Sequence, residues 1–328
     1  GDISKSDGHN FSTDDWSKIV ELSKQGLDSL KQHYNVESFV GLQRKVTING
    51  LEHTVKVIGE NEDFKCKTDE HGFIEPDYKK PVALTFQFDN VVSYKDDDND
   101  ILPVKIKFAA EETIPGLEPI INACGWEVSN AKQYLNNPEY EPPEAMENEY
   151  QPFITQLKEQ LGSNAIEKVY KRSFNTNVQL HIGYTTNTRV QGYEEQVFIP
   201  SLADIYTSKA CLPTPPSTWG QEFKDFYVDE GNRINETGEQ TAYSYYKNIL
   251  GTNIGYWDFV RCLILSDCKG LTQNYWLRSG WLKDLSSDPE HTYDFHQWSV
   301  SRWGSSSESG EVPTPIDEPI CLSPIFCI

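Results

Sequence analysis

Residues 274–281 read NYWLRSGW, two tryptophans and an arginine within eight positions of a chain otherwise rich in acids. A guanidinium beside an indole can stack on it and still fork onto a carboxylate or backbone carbonyls. In a strand, Trp276 and Arg278 point to one side and Tyr275 and Leu277 to the other, the latter pair suiting a core. Trp276 and Arg278 are therefore read as scaffold, holding a central sheet to its covering segments, with Trp126 as a third scaffold residue. The stretch that follows, 280–318, mixes Trp281, Tyr293, Phe295, His296, Trp298, Arg302 and Trp303 with serines. Rigid aromatic anchors among small polar neighbours are the composition of paratopes. The candidate ligand-binding residues are Trp281, Lys283, Asp284, His291, Tyr293, Asp294, His296, Arg302 and Ser305. The competing reading is a long loop with its aromatics packed beneath it, Trp298 and Trp303 foremost.

Other chemistry is sought and not found. Cys262 and Cys268, like Cys321 and Cys327, stand six apart, but the seven cysteines form no CxxC pair of the kind zinc ribbons use. Buried thiols or one disulfide fit them better than a reactive pair. Asp96, Asp98 and Asp100 are spaced like the first ligands of a calcium loop, yet Ile101 stands where the glycine is needed and Lys107 where the closing glutamate is. His291 and His296 lack the HExxH spacing. No GxSxG, GxGxxG or P-loop pattern occurs. No catalytic residue, cofactor or metal site is expected.

The 328 residues carry 29 basic and 50 acidic side chains, a net charge of −21. That field repels nucleic acid and anionic membrane surfaces. A mean hydropathy of −0.59 and the absence of any apolar run near 18–20 residues argue against membrane insertion. Gly1 is not a native start, which leaves open an upstream signal or domain.

The elements that must position these residues follow from pattern. Residues 1–10 read as disordered. Ser12 or Thr13 caps an amphipathic helix running to about residue 34, with Trp16, Ile19, Val20, Leu27, Leu30 and Tyr34 on its apolar stripe. Alternation around Asn49-Gly50 in RKVTINGLEHTVKVIG predicts a hairpin over 44–59 with a type I′ turn. A strand is expected over 82–94, another at 104–108, a helix after Trp126 through Leu135, and a second helix with Phe153, Ile154, Leu157 and Leu161. Residues 165–174 read as a strand, 175–194 as a polar stretch, and VFIPSLADIY as a strand entering a helix at Pro200-Ser201. Strands around 275–279, 295–300 and 320–328 close the chain, with loops between. Without a regular β-α alternation, the class is α+β.

These landmarks occur in one order: the hairpin, NACGWEVSNAKQYLNN, VFIPSLADIY, YWLRS and the closing SPIFCI. In that order the chain resembles a family of bacterial and phage surface domains marked by a W-x-R-S strand. The family is similar to the C-type-lectin-like fold in the branch of formylglycine-generating enzymes, a branch shared with variable proteins diversified by retroelements. The closing segment departs from the family by lacking an arginine there. The resemblance implies a C-type-lectin-like domain over 39–328 with long loop insertions, preceded by a tail and amphipathic helix over 1–38. It implies a non-enzymatic protein that displays the segment 280–318 to a protein or glycan receptor on a target cell surface, from a phage tail (virion) or a microbial surface. Retroelements of this kind randomise adenines. His291, Tyr293, Asp294, His296 and Ser305 are reachable from AAY codons, whereas tryptophan is not. The alternatives are a formylglycine-generating-type oxidoreductase and a structural virion protein; oligomeric state is left open.

Overall fold

A computed structural model describes residues 5–6, 9–108, 123–141, 151–179, 185–205, 233–234, 240–250, 256–284, 293–302, 311–315 and 318–328. The first ten residues are not all disordered as expected: Lys5 pairs with Asn10 and Ser6 with His9. The chain is held in a turn beyond them because Asn10 accepts from Ser12 N through its side chain and from Thr13 N and Asp14 N through its carbonyl. The expected single helix is two, α1 (Trp16–Gln25) and α2 (Leu27–Tyr34), parted at Gly26 with a φ of 116°. That backbone state suits glycine, and it lets the second helix leave on a new axis. Neither Ser12 nor Thr13 caps α1; Asp15 takes the N-cap position without a side-chain bond. Trp16, Ile19, Leu22, Leu27, Leu30 and Tyr34 are buried in one core with the sheet described next.

The hairpin forms where the pattern placed it. β1 (Gln43–Ile48) and β2 (Leu51–Glu60) pair from Ile48↔Leu51 outward, and Asn49 and Gly50 have φ of 54° and 73°, the two positive values a type I′ turn requires. Val46 and Ile48 point inward in β1, and so does Arg44. The Arg44 guanidinium lies 4.2 Å from the Trp16 ring centroid and donates to the carbonyls of Phe11 and Asp14, tying the N-terminal turn to the sheet. His53 in β2 is fully buried between Leu51 O, 2.9 Å from Nδ1, and Ser93 N, which donates to Nε2 at 3.0 Å. Burial lowers its pKa to about 4, keeping the ring neutral.

The expected strand 82–94 breaks near Asn90. β3 (Leu84–Phe88) lies beside β2, and Ser93–Lys95 turns back on Ile101–Pro103. The acidic turn between them is closed by Asp96 Oδ1, which accepts from Asp98 N and Asp100 N. Residues 104–108 form no strand; Ile106 alone bridges Ile320. Next come α3 (Asn130–Asn136), whose N-cap Ser129 accepts from Lys132 N, and α4 (Phe153–Leu161). β4 (Val169–Gln179) and β5 (Thr185–Glu195) pair over eleven positions, so the supposed polar stretch 175–194 is largely sheet. Its asparagines and threonines hide a strand that only pairing reveals. β6 (Val197–Phe198) enters α5 (Leu202–Ile205) as expected. α6 (Ser244–Leu250), α7 (Tyr256–Arg261), β7 (Tyr275–Asp284), β8 (Tyr293–Val300), β9 (Glu311–Pro315) and β10 (Ile325–Cys327) complete the order. Strands and helices mix in an α+β arrangement.

The central sheet is antiparallel in the order β6-β10-β3-β2-β1; β7, β8 and β9 form a separate three-stranded sheet. Alternation along β3 and β10 gives the central sheet two unlike faces, both covered. Phe86, Phe88 and Phe326 meet Trp16 and Phe153 at centroid distances of 5.3–5.6 Å for Trp16–Phe86, Phe86–Phe326 and Phe88–Phe153. Thr85, Gln87 and Cys327 point the other way, where Tyr246 of α6 donates to Gln87. At a bulge in β2, Gly59 admits this layer: a Cβ there would lie 2.6 Å from Glu62 Oε2 and 3.0 Å from Tyr243 Cδ1. Glu62 in turn accepts from Ser244 N at 2.8 Å, satisfying an otherwise orphaned donor at the start of α6. Among the described residues no helix is long and apolar enough to cross a membrane.

Candidate functional site

The strand that opens with YWLRS is rooted by a break in its own ladder. Trp276 pairs with Ser299 and Gly280 with Gln297, so Leu277, Arg278 and Ser279 sit against Trp298 alone. Bulges of this sort re-aim side chains. Here Arg278 N donates to Pro200 O at 2.8 Å, Ser279 Oγ accepts from Leu202 N at 3.0 Å, and Gln297 Nε2 donates to Leu277 O at 2.9 Å. The expected contrast between two sides of the strand vanishes, because Tyr275, Trp276, Leu277 and Arg278 are all buried. Trp276 Nε1 donates to Ile106 O and Tyr275 OH to Leu263 O, at 2.8 and 2.6 Å.

Arg278 reaches a charge centre that the polar face of the central sheet makes room for. Its Nη1 lies 3.0 Å from Asp204 Oδ2, its Nε donates to Arg172 O, and its guanidinium carbon is 5.8 Å from the Phe198 ring centroid. Lys171 Nζ sits 3.3 Å from Asp63 Oδ1, 3.4 Å from Asp204 Oδ1 and 3.0 Å from Tyr243 OH. Asp63 Oδ2 accepts from Thr85 Oγ1 at 2.7 Å and Tyr243 OH at 2.8 Å, and Cys327 Sγ is 3.5 Å away. The four charged side chains, two acids and two bases, are inaccessible to solvent. Such a balanced, hydrogen-bonded set tolerates burial that a single charge would not. Burial, with Asp63 beside both groups, pushes the Tyr243 phenol and the Cys327 thiol well above their usual range, so both stay protonated donors. The centre joins β3, β4, α5, β7, β10 and Tyr243 just before α6, which makes it the mechanical root of β7.

From that root β7 runs on into the segment proposed for binding. The segment holds more strand than the one expected around 295–300: its first residues continue β7, which returns as β8 and then β9. Register sets Trp281 opposite His296, Lys283 opposite Asp294 and Asp284 opposite Tyr293 at the far end of the ladder. Arg302 is not with them. It is exposed, and its backbone N donates to Asn274 at the near end of β7, a strand of ten residues and so about 30 Å long. His291 and Ser305 lie outside the described residues. Trp126 is fully buried in a short 3-10 turn that α3 follows.

Nothing local in the sequence flagged Asp63, Lys171 or Tyr243 as members of the centre that Arg278 joins through Asp204. The one available signal was a charge amid apolar residues, as with Asp204 in VFIPSLADIY. A second buried charge, Glu195, has its carboxyl raised by burial, against the pull of Lys132 at 2.9 Å. Cys66, Cys262, Cys268, Cys321 and Cys327 are free thiols, and burial pushes Cys66 and Cys321 up to about 12. A thiol held that high is a poor nucleophile at neutral pH. Comparisons with protein-family models, with curated proteins and with solved structures find no match to this chain.

Proposed function

We propose that this chain is a non-enzymatic receptor-binding protein with a C-type-lectin-like fold, carried on a phage tail or microbial surface and varied in its C-terminal segment by a retroelement. One observation carries the reading: β7 is anchored at its bulge by a solvent-free, charge-balanced root at Arg278 and continues as one strand into Trp281, Lys283 and Asp284, which β8 meets with Tyr293, Asp294 and His296. A stiff base lets side chains beyond it change without endangering the core, and it limits the ordering cost of binding. The exchange of aromatic and small polar residues at Tyr293, Asp294 and His296, beside a fixed Trp281, then sets which protein or glycan is held.

The test is binding of the labelled full chain to arrays of glycans and of microbial surface proteins, in parallel with a W281S/Y293S/H296S variant. The variant is expected to melt with wild type and lose at least about tenfold in affinity for any target bound, as removal of two or three anchors would cause. Equal affinity in the variant overturns the reading. Sequencing the gene and its flanks from independent isolates tests the diversification: substitutions confined to adenines in codons 280–318 are expected, and an even spread along the gene rejects it.

A further inference from the structure

We infer that His9, Asp14 and His33 form a binding site for a divalent transition-metal ion, zinc being the working occupant, which fastens the N-terminal segment to α2. The three residues each offer a ligand atom, all within 4.8 Å of one another. Ligands at about 2.1 Å from a tetrahedral zinc stand roughly 3.4 Å apart, so a small rotation of the exposed His9 closes the set. Two imidazoles and one carboxylate make a donor set suited to zinc, nickel, copper or iron rather than to calcium or magnesium.

The fold prepares this place from three directions. His9 is brought back by its pairing with Ser6, and its ring centroid is 4.3 Å from that of His33 at 40°. Asp14 is oriented from beneath by Tyr34, whose buried hydroxyl donates to Oδ2 at 2.8 Å, the outer-sphere support that metal-binding carboxylates commonly receive. His33 lies in the last turn of α2, where the helix dipole favours a cation. Independently of the cluster, His33 Nε2 is shut off from water and has no hydrogen-bond partner among the described residues. A buried lone pair or N–H left this way is costly, and a bound ion removes the cost.

Metal-stripped full-length protein titrated with zinc alone should bind one ion. Its Tm should rise by about 4 °C at a hundredfold excess over Kd. H9A alters an exposed side chain and should weaken zinc at least about tenfold and abolish the rise, with D14N doing the same. H71A, an exposed histidine beside Glu70, should change neither. Cobalt in place of zinc should give d–d absorption without a thiolate charge-transfer band. Absence of zinc binding up to millimolar concentration overturns the site. So does binding that H9A and D14N leave unchanged, or a thiolate band in the cobalt spectrum.

Discussion

Replacing Lys171 by methionine tests whether the charge centre beneath β7 is a root or an ornament. The substitution keeps the length of the side chain and removes its charge. Asp63 retains the Thr85 and Tyr243 hydroxyls at 2.7 and 2.8 Å, but loses the ammonium at 3.3 Å, and Asp204 is left with Arg278 at 3.0 Å. Two buried carboxylates then share one cation. Breaking a buried ion set in this way costs about 3–5 kcal/mol, most of it the stranded charge. At about 2.1 cal/mol/K of unfolding entropy per residue, 328 residues give roughly 0.7 kcal/mol/K, so the Tm should fall by about 4–7 °C. Adding D63N to K171M restores neutrality and should recover part of the loss. Differential scanning calorimetry of the three proteins decides the matter. A loss under about 1 kcal/mol for K171M, or a double variant no better than the single, refutes the view that pairing in a dry site holds β7 in place.

Two further outcomes follow from the same face of the molecule and its neighbour. His53 has a folded pKa of about 4 against 6.5 in the unfolded chain, so its titration costs the fold nothing above pH 6.5 and takes away up to about 3 kcal/mol as pH falls from 6.5 to below 4, where the unfolded chain binds a proton that the buried ring does not; urea melts should show this slope in wild type and not in H53L. G59A forces a methyl to within 2.6 Å of Glu62 and 3.0 Å of Tyr243. It should cost about 1–3 kcal/mol by calorimetry, and an unchanged Tm would mean that α6 can move away freely.

Much of the frame was legible in the sequence because its causes are local. Asn49-Gly50 fixes a type I′ turn by the φ it permits. The apolar spacing of Phe153, Ile154, Leu157 and Leu161 places α4, and Ser129 starts α3 through its own hydroxyl. YWLRS reads as a strand from its own residues, and β7 begins with it.

What the sequence alone could not decide were features set by distant segments. β4 and β5 look polar and become sheet because each supplies the other's hydrogen bonds. The single N-terminal helix became two because Gly26 takes a φ of 116°, a backbone state that apolar periodicity does not report. The inward face of Arg278, its bulge, and the company of Asp63, Lys171, Asp204 and Tyr243 depend on contacts spanning from 33 to 180 positions along the chain. Periodicity reports which residues avoid water. It is silent on which buried charge meets which, because that is settled only when the whole chain excludes water from one place.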